Sequence, residues 1–599
     1  MRAVLSSVRR KLLLALIPLT VALTFVTFPS VCFAQTPAAA ATRSSSGRAI
    51  KSAKPKLVVI LVVDQMRADY VEKFGQQWTG GLHRLVDEGA WFREAAYRYA
   101  ATETCVGHST ISTGALPSSH GMIGNEWFNR DTQKTMTCTE DPKVKDVGYA
   151  GVVVKGGDSA ANMLLPAFSN ELKFQSGSGT RVVTFSLKAR AAITLGGTNA
   201  DAVTWYDVNT GGWQTSSAYP VAPFVEDFAK AHPVAADYGK TWTAMLPASA
   251  YLYDSTAVGA KYAAESGPSL PHPLHGAAGS TAADKLFYLQ WQASPYADTY
   301  LVNMADDAVD QLGLGQRGGT DFLGVSFSSP DYVGHAFGPR SWEIQDVLAQ
   351  LDRDLGVFFA HLDQRVGRGN YVVALTADHG VAPIPDDMAK AGMPAGWFNV
   401  EEVKTAVSGA LAANGYGKDD VKAVMGSDIY FAPGVYQKVQ ADGRTLDAVI
   451  TAILNVPGVA NVYTAEQLEN PPTMQNNIFT AEANSFLRSR SGDLLVVPQP
   501  FFPWDFSTAT KPRMYGATHG SPYYYDQHVP ILFMGYGIEA GEYFGPAAPA
   551  DIAPTLAALC GITLSTRDGH VLAQAIAKQG AVRGGRTRLN AGAGAGAKP

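Results

Sequence analysis

The chain of 599 residues is poor in cysteine, poor in charge and almost free of long apolar runs. There are four cysteines, and Cys32 falls in a leader-like start, so Cys105, Cys138 and Cys560 can form at most one intrachain disulfide and leave one free thiol. The sequence does not say which pair that is. Charged residues make up 17% of the chain, with 48 basic against 53 acidic side chains and no long run of one sign beyond the first residues. That excludes the basic footprint of a nucleic acid partner. After the start, no segment is long and apolar enough to span a membrane, which excludes an integral membrane protein with several spans. What the chain does have is apolar residues, at 46%, enough for one large domain with an insertion or for two to three domains.

In the leader, Arg2, Arg9, Arg10 and Lys11 precede an uncharged apolar run that ends in Cys32-Phe33-Ala34, with small residues closing it. This predicts a secretory signal over 1–34, cleaved after Ala34. An uncleaved anchor is the alternative, although Leu12–Phe28 is at the short end of the roughly 17–25 residues a span requires. Bulky Phe33 argues against lipid attachment at Cys32. The mature protein is expected in the periplasm or secreted, with no stable membrane insertion once the signal is gone. Its oligomeric state is not legible.

Residues 35–54 are small and polar and read as a flexible linker, and 583–599 as a disordered tail. Between them, "KLVVILVVD" (56–64), "RVVTFSL" (181–187), "DFLGVSFSS" (321–329), "YVVALTADH" (371–379), "DLLVVP" (493–498) and "VPILFMG" (529–535) are short, apolar and without polar alternation. Such runs are expected of parallel strands buried on both faces. Helical periodicity lies between them, most plainly from Ser341, where Ile344, Val347, Leu348, Leu351, Leu355, Phe358 and Phe359 share one face. The expectation is an α/β fold with a central, mostly parallel sheet flanked by helices. The catalytic core would occupy 55–399 and 491–582, interrupted by an inserted cap over 400–490. The segment 195–300, rich in Trp, Tyr, Pro and Gly, is a second place where cap structure can sit.

Chemistry-bearing residues follow these strands. Asp64 ends the first; Asp331 and His335 follow the run 321–329 in "PDYVGH"; Asp378-His379 end the run 371–379; and His519 precedes the run at 529 in "MYGATHGSP". Singly, an Asp after a strand is commonly a helix cap, and a His beside Gly is commonly a loop residue. Together they make three carboxylates and three imidazoles at strand ends, where ligands of open α/β sheets collect. These are donors suited to zinc and similar ions, and six suffice for two ions, which can hold the attacking and leaving oxygens of a displacement at phosphorus. In "RYAATETCVGHSTISTG", Thr104 and Cys105 stand at an expected helix start, where free N–H groups favour an anion. Either could be the nucleophile, and spacing alone does not choose.

With "VVDQMRADY", "TETCVGHSTISTG", "HGMIGNEW", "SLKARAAI", "SSPDYVGHAFGP", "LTADHG" and "THGSPYYYDQHVP" in order, the chain resembles the alkaline phosphatase superfamily from about Lys56 to about Gly569. It is most similar to bacterial alkaline phosphatases with a threonine nucleophile, in the type I phosphodiesterase and nucleotide pyrophosphatase family. The resemblance implies two zinc ions, one held by Asp64, Asp378, His379 and Thr104, the other by Asp331, His335 and His519. It selects Thr104 as nucleophile, in a Thr-x-x-Gly-His pattern, and leaves Cys105 as a small packing residue. It also implies that Asn125 donates to a phosphoryl oxygen, and that Lys188 and Arg190 are the basic pair that marks monoesterases. The expected activity is hydrolysis of small-molecule phosphate monoesters through a phosphothreonine intermediate. The alternative is a phosphodiesterase or nucleotide pyrophosphatase on the same two-metal site. The Cys/Ser-x-Pro-x-Arg motif of sulfatases is absent.

Overall fold

The computed structural model describes residues 54–577, apart from 178, 256–266, 268, 471–475, 509, 512 and 514 and the side chain of Lys418. The predicted signal (1–34), all but the last residue of the linker and the tail (583–599) lie outside the described residues.

One ten-stranded sheet organises the chain. Its strands are β1 (Leu57–Val63), β2 (Ala90–Ala95), β3 (Asp146–Gly148), β4 (Val182–Ser186), β5 (Ala202–Asp207), β6 (Gly212–Ser216), β7 (Asp321–Phe327), β8 (Tyr371–Thr376), β9 (Ile531–Gly535) and β10 (Gly541–Ala547). Their spatial order is β10-β2-β9-β8-β1-β7-β4-β5-β6-β3. The central five, β8-β1-β7-β4-β5, are parallel, while β9 and β6 run against their neighbours.

The unbroken apolar run of β1 has a direct cause. Successive side chains of a strand point to opposite faces, and here both faces are covered. Leu57, Val59, Leu61 and Val63 enter one core layer, and Val58, Ile60 and Val62 enter the other. Four helices matter for the site: α1 (Thr104–Thr113), α2 (Ala189–Gly196), α3 (Ser329–Phe337) and α4 (Trp342–Leu362). Helix α4 begins where expected. The Ser341 hydroxyl accepts the Ile344 N–H at 3.1 Å, satisfying a donor that the first turn cannot.

The run 493–498 is a strand, but not of this sheet. Leu494–Pro498 pairs antiparallel with Asp428–Phe431 and Val459–Thr464 in a separate four-stranded sheet. It reads as apolar throughout because it too is covered twice. Leu494 and Val496 pack with the helices Val400–Ala413 and Gly443–Leu454, whereas Leu495 and Val497 pack with Tyr463 and Phe479. The segment 195–300 also differs from expectation. It supplies β5 and β6 to the central sheet, with Trp205 buried in one layer and Trp213 in the other. Among the described residues, no helix is long and apolar enough to cross a membrane.

A small cavity of about 30 Å³ lies between the four-stranded sheet and the residues before α1, lined by Glu103, Asp428 and Glu482 among others. Glu482, on the helix Asn477–Ser485, is 2% exposed. Burial, and then the charge of Asp428, push its carboxyl up to about 8 from an ordinary 4.5. Because the folded value is the higher one, the native state keeps a proton that the unfolded chain has released. Stability is therefore lost as pH climbs from about 4.5 to about 8, and the loss is complete above that window. At roughly 1.4 kcal/mol per unit, the cost at alkaline pH is several kcal/mol. Glu482→Gln is expected to melt a few degrees above wild type at pH 9 and level with it at pH 5, as read by thermal denaturation.

Candidate bimetal and phosphoryl site

The order of the central strands aligns the site. Strands β8, β1, β7 and β4 are consecutive neighbours, about 4.8 Å apart, and all point the same way. Their ends deliver Asp378 and His379, then Asp64, then α3 with Asp331 and His335, then Lys188 and Arg190. Asp331 and His335 are one helical turn apart on α3, which puts Nε2 of the imidazole 3.2 Å from a carboxylate oxygen. His519 arrives from the segment ahead of β9, and its ring stacks on that of His379 with centroids 3.5 Å apart.

Helix α1 comes in over these ends, and Thr104 is its first residue, 1% exposed. The glycine of "TCVGH" has a physical role here. A Cβ on Gly107 would lie 2.1 Å from the carbonyl oxygen of Asp378, so only glycine lets α1 approach the ligand-bearing backbone this closely. His108, one residue on, places Nε2 2.8 Å from the Ser326 hydroxyl and Nδ1 3.4 Å from the Asp378 carboxylate.

The three predicted imidazole ligands share one arrangement. Nδ1 of His335 lies 2.8 Å from the Ala517 carbonyl, that of His379 2.9 Å from the Gly380 carbonyl, and that of His519 2.8 Å from the Thr102 carbonyl. A carbonyl only accepts, so Nδ1 carries the proton in each neutral ring and Nε2 keeps its lone pair for the site. Nε2 of His379, with Asp64 Oδ1 and Asp378 Oδ2, is buried without a hydrogen-bond partner. Buried polar atoms left unpaired are costly, and these three all face one another. Ligand atoms of Asp331, His335 and His519 lie within 4.8 Å of one another, as do those of Asp64, Asp331 and His379. Asp378 joins the second group through Oδ2, 3.5 Å from His379 Nε2. Asp331 thus borders both groups. The donor set and its tautomers fit two divalent cations.

The charges of the site are mutually strained. Burial, reinforced by the Asp378 charge, raises the Asp64 carboxyl well above the usual range. For Asp331 burial works the same way, but the His335 and Lys188 charges outweigh it and hold the group well below its ordinary value. Burial and the neighbouring His379 and His335 depress His519 strongly. Such a cluster of like charges is what a bound cation relieves.

Lys188, 5% exposed, sets Nζ 2.6 Å from oxygens of both Asp64 and Asp331, and 3.4 Å from the Thr104 hydroxyl. Arg190 lines the 270 Å³ cavity over Thr104 together with Asn125, His335 and His519, and its Nε is buried without a partner. The rest of that cavity's lining comes from elsewhere: Met425 and Gly426 from the hairpin of Val421–Met425 with Asp428–Phe431, and Trp504 and Phe506 from the segment after Leu494–Pro498.

Three features escaped the sequence. Gln65 follows Asp64 in a left-handed conformation, φ 66°; its side-chain amide donates to Asp331 at 2.6 Å and its backbone N–H to Asp378 at 3.1 Å, tying the two groups together. Glu103 accepts the Asn125 N–H at 2.7 Å. Cys105 is not a simple packing residue, since it forms a disulfide with Cys138, while Cys560 is the buried free thiol. A positive φ outside glycine and a contact across a hairpin leave no periodic trace. The one available signal was the odd cysteine count.

The type I phosphodiesterase / nucleotide pyrophosphatase family model matches residues 58–522. The chain is 34% identical over 521 residues to alkaline phosphatase PafA of Elizabethkingia meningoseptica, covering 85% of this chain and 92% of that protein. It is 33% identical over 522 residues to alkaline phosphatase PhoV of Synechococcus elongatus, covering 85% and 90%. A Myroides odoratus protein named as a calcium-transporting ATPase is also similar, 33% identical over 532 residues, with 86% and 93% covered. The crystal structure of wild-type PafA matches with a TM-score of 0.75 at 30% identity, over 88% of this chain and 99% of that one. In fold and in sequence, the chain belongs to the type I phosphodiesterase and nucleotide pyrophosphatase family.

Proposed function

We propose that the protein is an exported alkaline phosphatase that hydrolyses phosphate monoesters to an alcohol and inorganic phosphate, using two zinc ions and a phosphothreonine intermediate. One observation carries the reading: three imidazoles with Nδ1 tied to carbonyls present Nε2 to a cluster of buried carboxylates, among which Asp64 Oδ1 and Asp378 Oδ2 lack a hydrogen-bond partner, around a hydroxyl at a helix start. Nitrogen and carboxylate donors of this kind suit zinc. When bound, zinc supplies the positive charge that favours an ionised hydroxyl and a departing alkoxide.

Thr104 Oγ is the attacking atom. Its hydroxyl proton passes to solvent, Oγ forms a bond to phosphorus as the ester P–O bond breaks, and the alcohol leaves with a proton taken from solvent. Water then attacks the phosphothreonine, the P–Oγ bond breaks, the hydroxyl regains a proton and phosphate departs. Lys188 and Arg190 supply fixed positive charge to the non-bridging oxygens, and the Asn125 amide a further donor, where charge shifts in the transition state. The wall of Met425, Trp504 and Phe506 flanks the leaving group and keeps bulk water from that side. The leader over 1–34 and a disulfide both favour a compartment outside the cytoplasm.

The family name also covers diesterases, so the test compares substrates. Chelation is expected to remove hydrolysis of a chromogenic monoester by at least about a hundredfold, with zinc restoring it and a matched sulfate ester remaining poor. Metal-free protein, verified by elemental analysis, that kept full activity would overturn the two-metal reading. A diester turned over faster than the monoester would favour the phosphodiesterase alternative.

A further inference from the structure

Asn125 is held at three points, and two of them are joined by a covalent bond. Its backbone N–H donates to Glu103 at 2.7 Å. Its side-chain oxygen accepts the Cys105 N–H at 2.9 Å. Its backbone carbonyl accepts the Cys138 N–H, also at 2.9 Å. Cys105 and Cys138 form the disulfide, and both are fully buried. The staple therefore runs between the two residues whose N–H groups fix Asn125, bridging α1 to the end of the hairpin strand Lys134–Thr137.

The side-chain contact also decides which way the amide faces. With Oδ1 turned to the Cys105 N–H, the NH₂ is on the other side of the group, and Asn125 lines the cavity over Thr104. A flipped amide would set NH₂ against N–H, two donors with no acceptor. A crosslink that protected only global stability would have no reason to sit at this point, directly after the nucleophile. Neither sulfur is exposed, so the bond is part of the packed wall behind Asn125 and not a surface clasp.

We infer that the Cys105–Cys138 disulfide is a positioning element for Asn125: it holds the two backbone donors that aim the Asn125 amide at a phosphoryl oxygen on Thr104. This rests on the proposed role of Asn125. Without the bond, the hairpin end and the helix start are free to separate. The amide then samples orientations that do not donate, while the Asp and His residues of the two ligand groups, carried by other elements, stay in place.

The experiment is a double-mutant cycle on the zinc-loaded enzyme. It measures monoester kcat/KM for wild type, Asn125→Ala, the pair Cys105→Ala with Cys138→Ala, and all three substitutions together. Asn125→Ala is expected to lose about tenfold to a hundredfold, near the range for removing one transition-state donor. Removing the disulfide is expected to lose about tenfold in the wild-type background and almost nothing further once Asn125 is Ala, with zinc content unchanged throughout. The same loss in both backgrounds, or no loss in either, would overturn the positioning role. A fully active Asn125→Ala would instead sink the proposed role of Asn125 itself. Should the cysteine-free chain fail to fold, native wild type and native Asn125→Ala are each treated with a phosphine reductant, and thiols are counted by mass spectrometry. The same dependence on background is then read from reduced against oxidised enzyme.

Discussion

Thr104→Ala is expected to lower monoester turnover by about three orders of magnitude or more, with melting temperature and zinc content close to wild type. The size follows from position. Thr104 opens α1, so its hydroxyl lies at the positive end of the helix, and Lys188 Nζ stands 3.4 Å away. The deletion removes one buried methyl and one hydroxyl, a modest change for packing, so lost turnover with retained structure separates chemistry from folding. Thr104→Ser keeps the oxygen and should retain a good part of the activity. Mass spectrometry of enzyme quenched during turnover should find phosphate on Thr104 in wild type and none in the Ala variant. Wild-type rates in Thr104→Ala would end the covalent reading.

Replacing Lys188 and Arg190 together by Ala should lower monoester kcat/KM by about two to four orders of magnitude and depress diester hydrolysis far less. A monoester dianion brings three non-bridging oxygens, more than two metal ions and a helix start can satisfy. A diester replaces one of these with an alkoxy group and carries one charge less. Charge-assisted hydrogen bonds are worth roughly 1.5–3 kcal/mol each, and a factor of ten is about 1.4 kcal/mol. The structure adds a control, because Lys188 also touches Asp64 and Asp331 at 2.6 Å. Its removal changes the charge at the metal ligands, so the comparison is made at saturating zinc and with one leaving group. An unchanged ratio of monoester to diester kcat/KM would remove the main support for a monoesterase.

Much of the site was legible because the sheet writes its strands as apolar runs and its chemistry at their ends. Asp64, Asp331, Asp378 and His379 each stand where such a run stops, and strand adjacency does the rest. The edges were not legible for the opposite reason. Strand β10, Gly541–Ala547, is mostly exposed, so nothing selects apolar residues there, and Phe544 on it is 67% exposed. Strand Leu494–Pro498 showed the limit of the same signal, since two covered faces look alike in any sheet. Gln65, Glu103 and the cysteine pair act through single contacts between distant segments, and no period along the chain records those.

The order of strands also dictates when the enzyme can come into being. β9, from the last part of the chain, lies between β8 and β2, and His519 stands just ahead of it. A nascent chain that has emerged only as far as His379 has Asp64, Asp331, Asp378 and His379 but lacks the final imidazole and the strand that closes the sheet. Pairings this distant in sequence form late. Of the two ligand groups, the one that includes His519 can be completed only after that residue has been made. On the proposed export of an unfolded chain, that group would be filled only on the far side of the membrane, with a cation from the compartment in which the enzyme works.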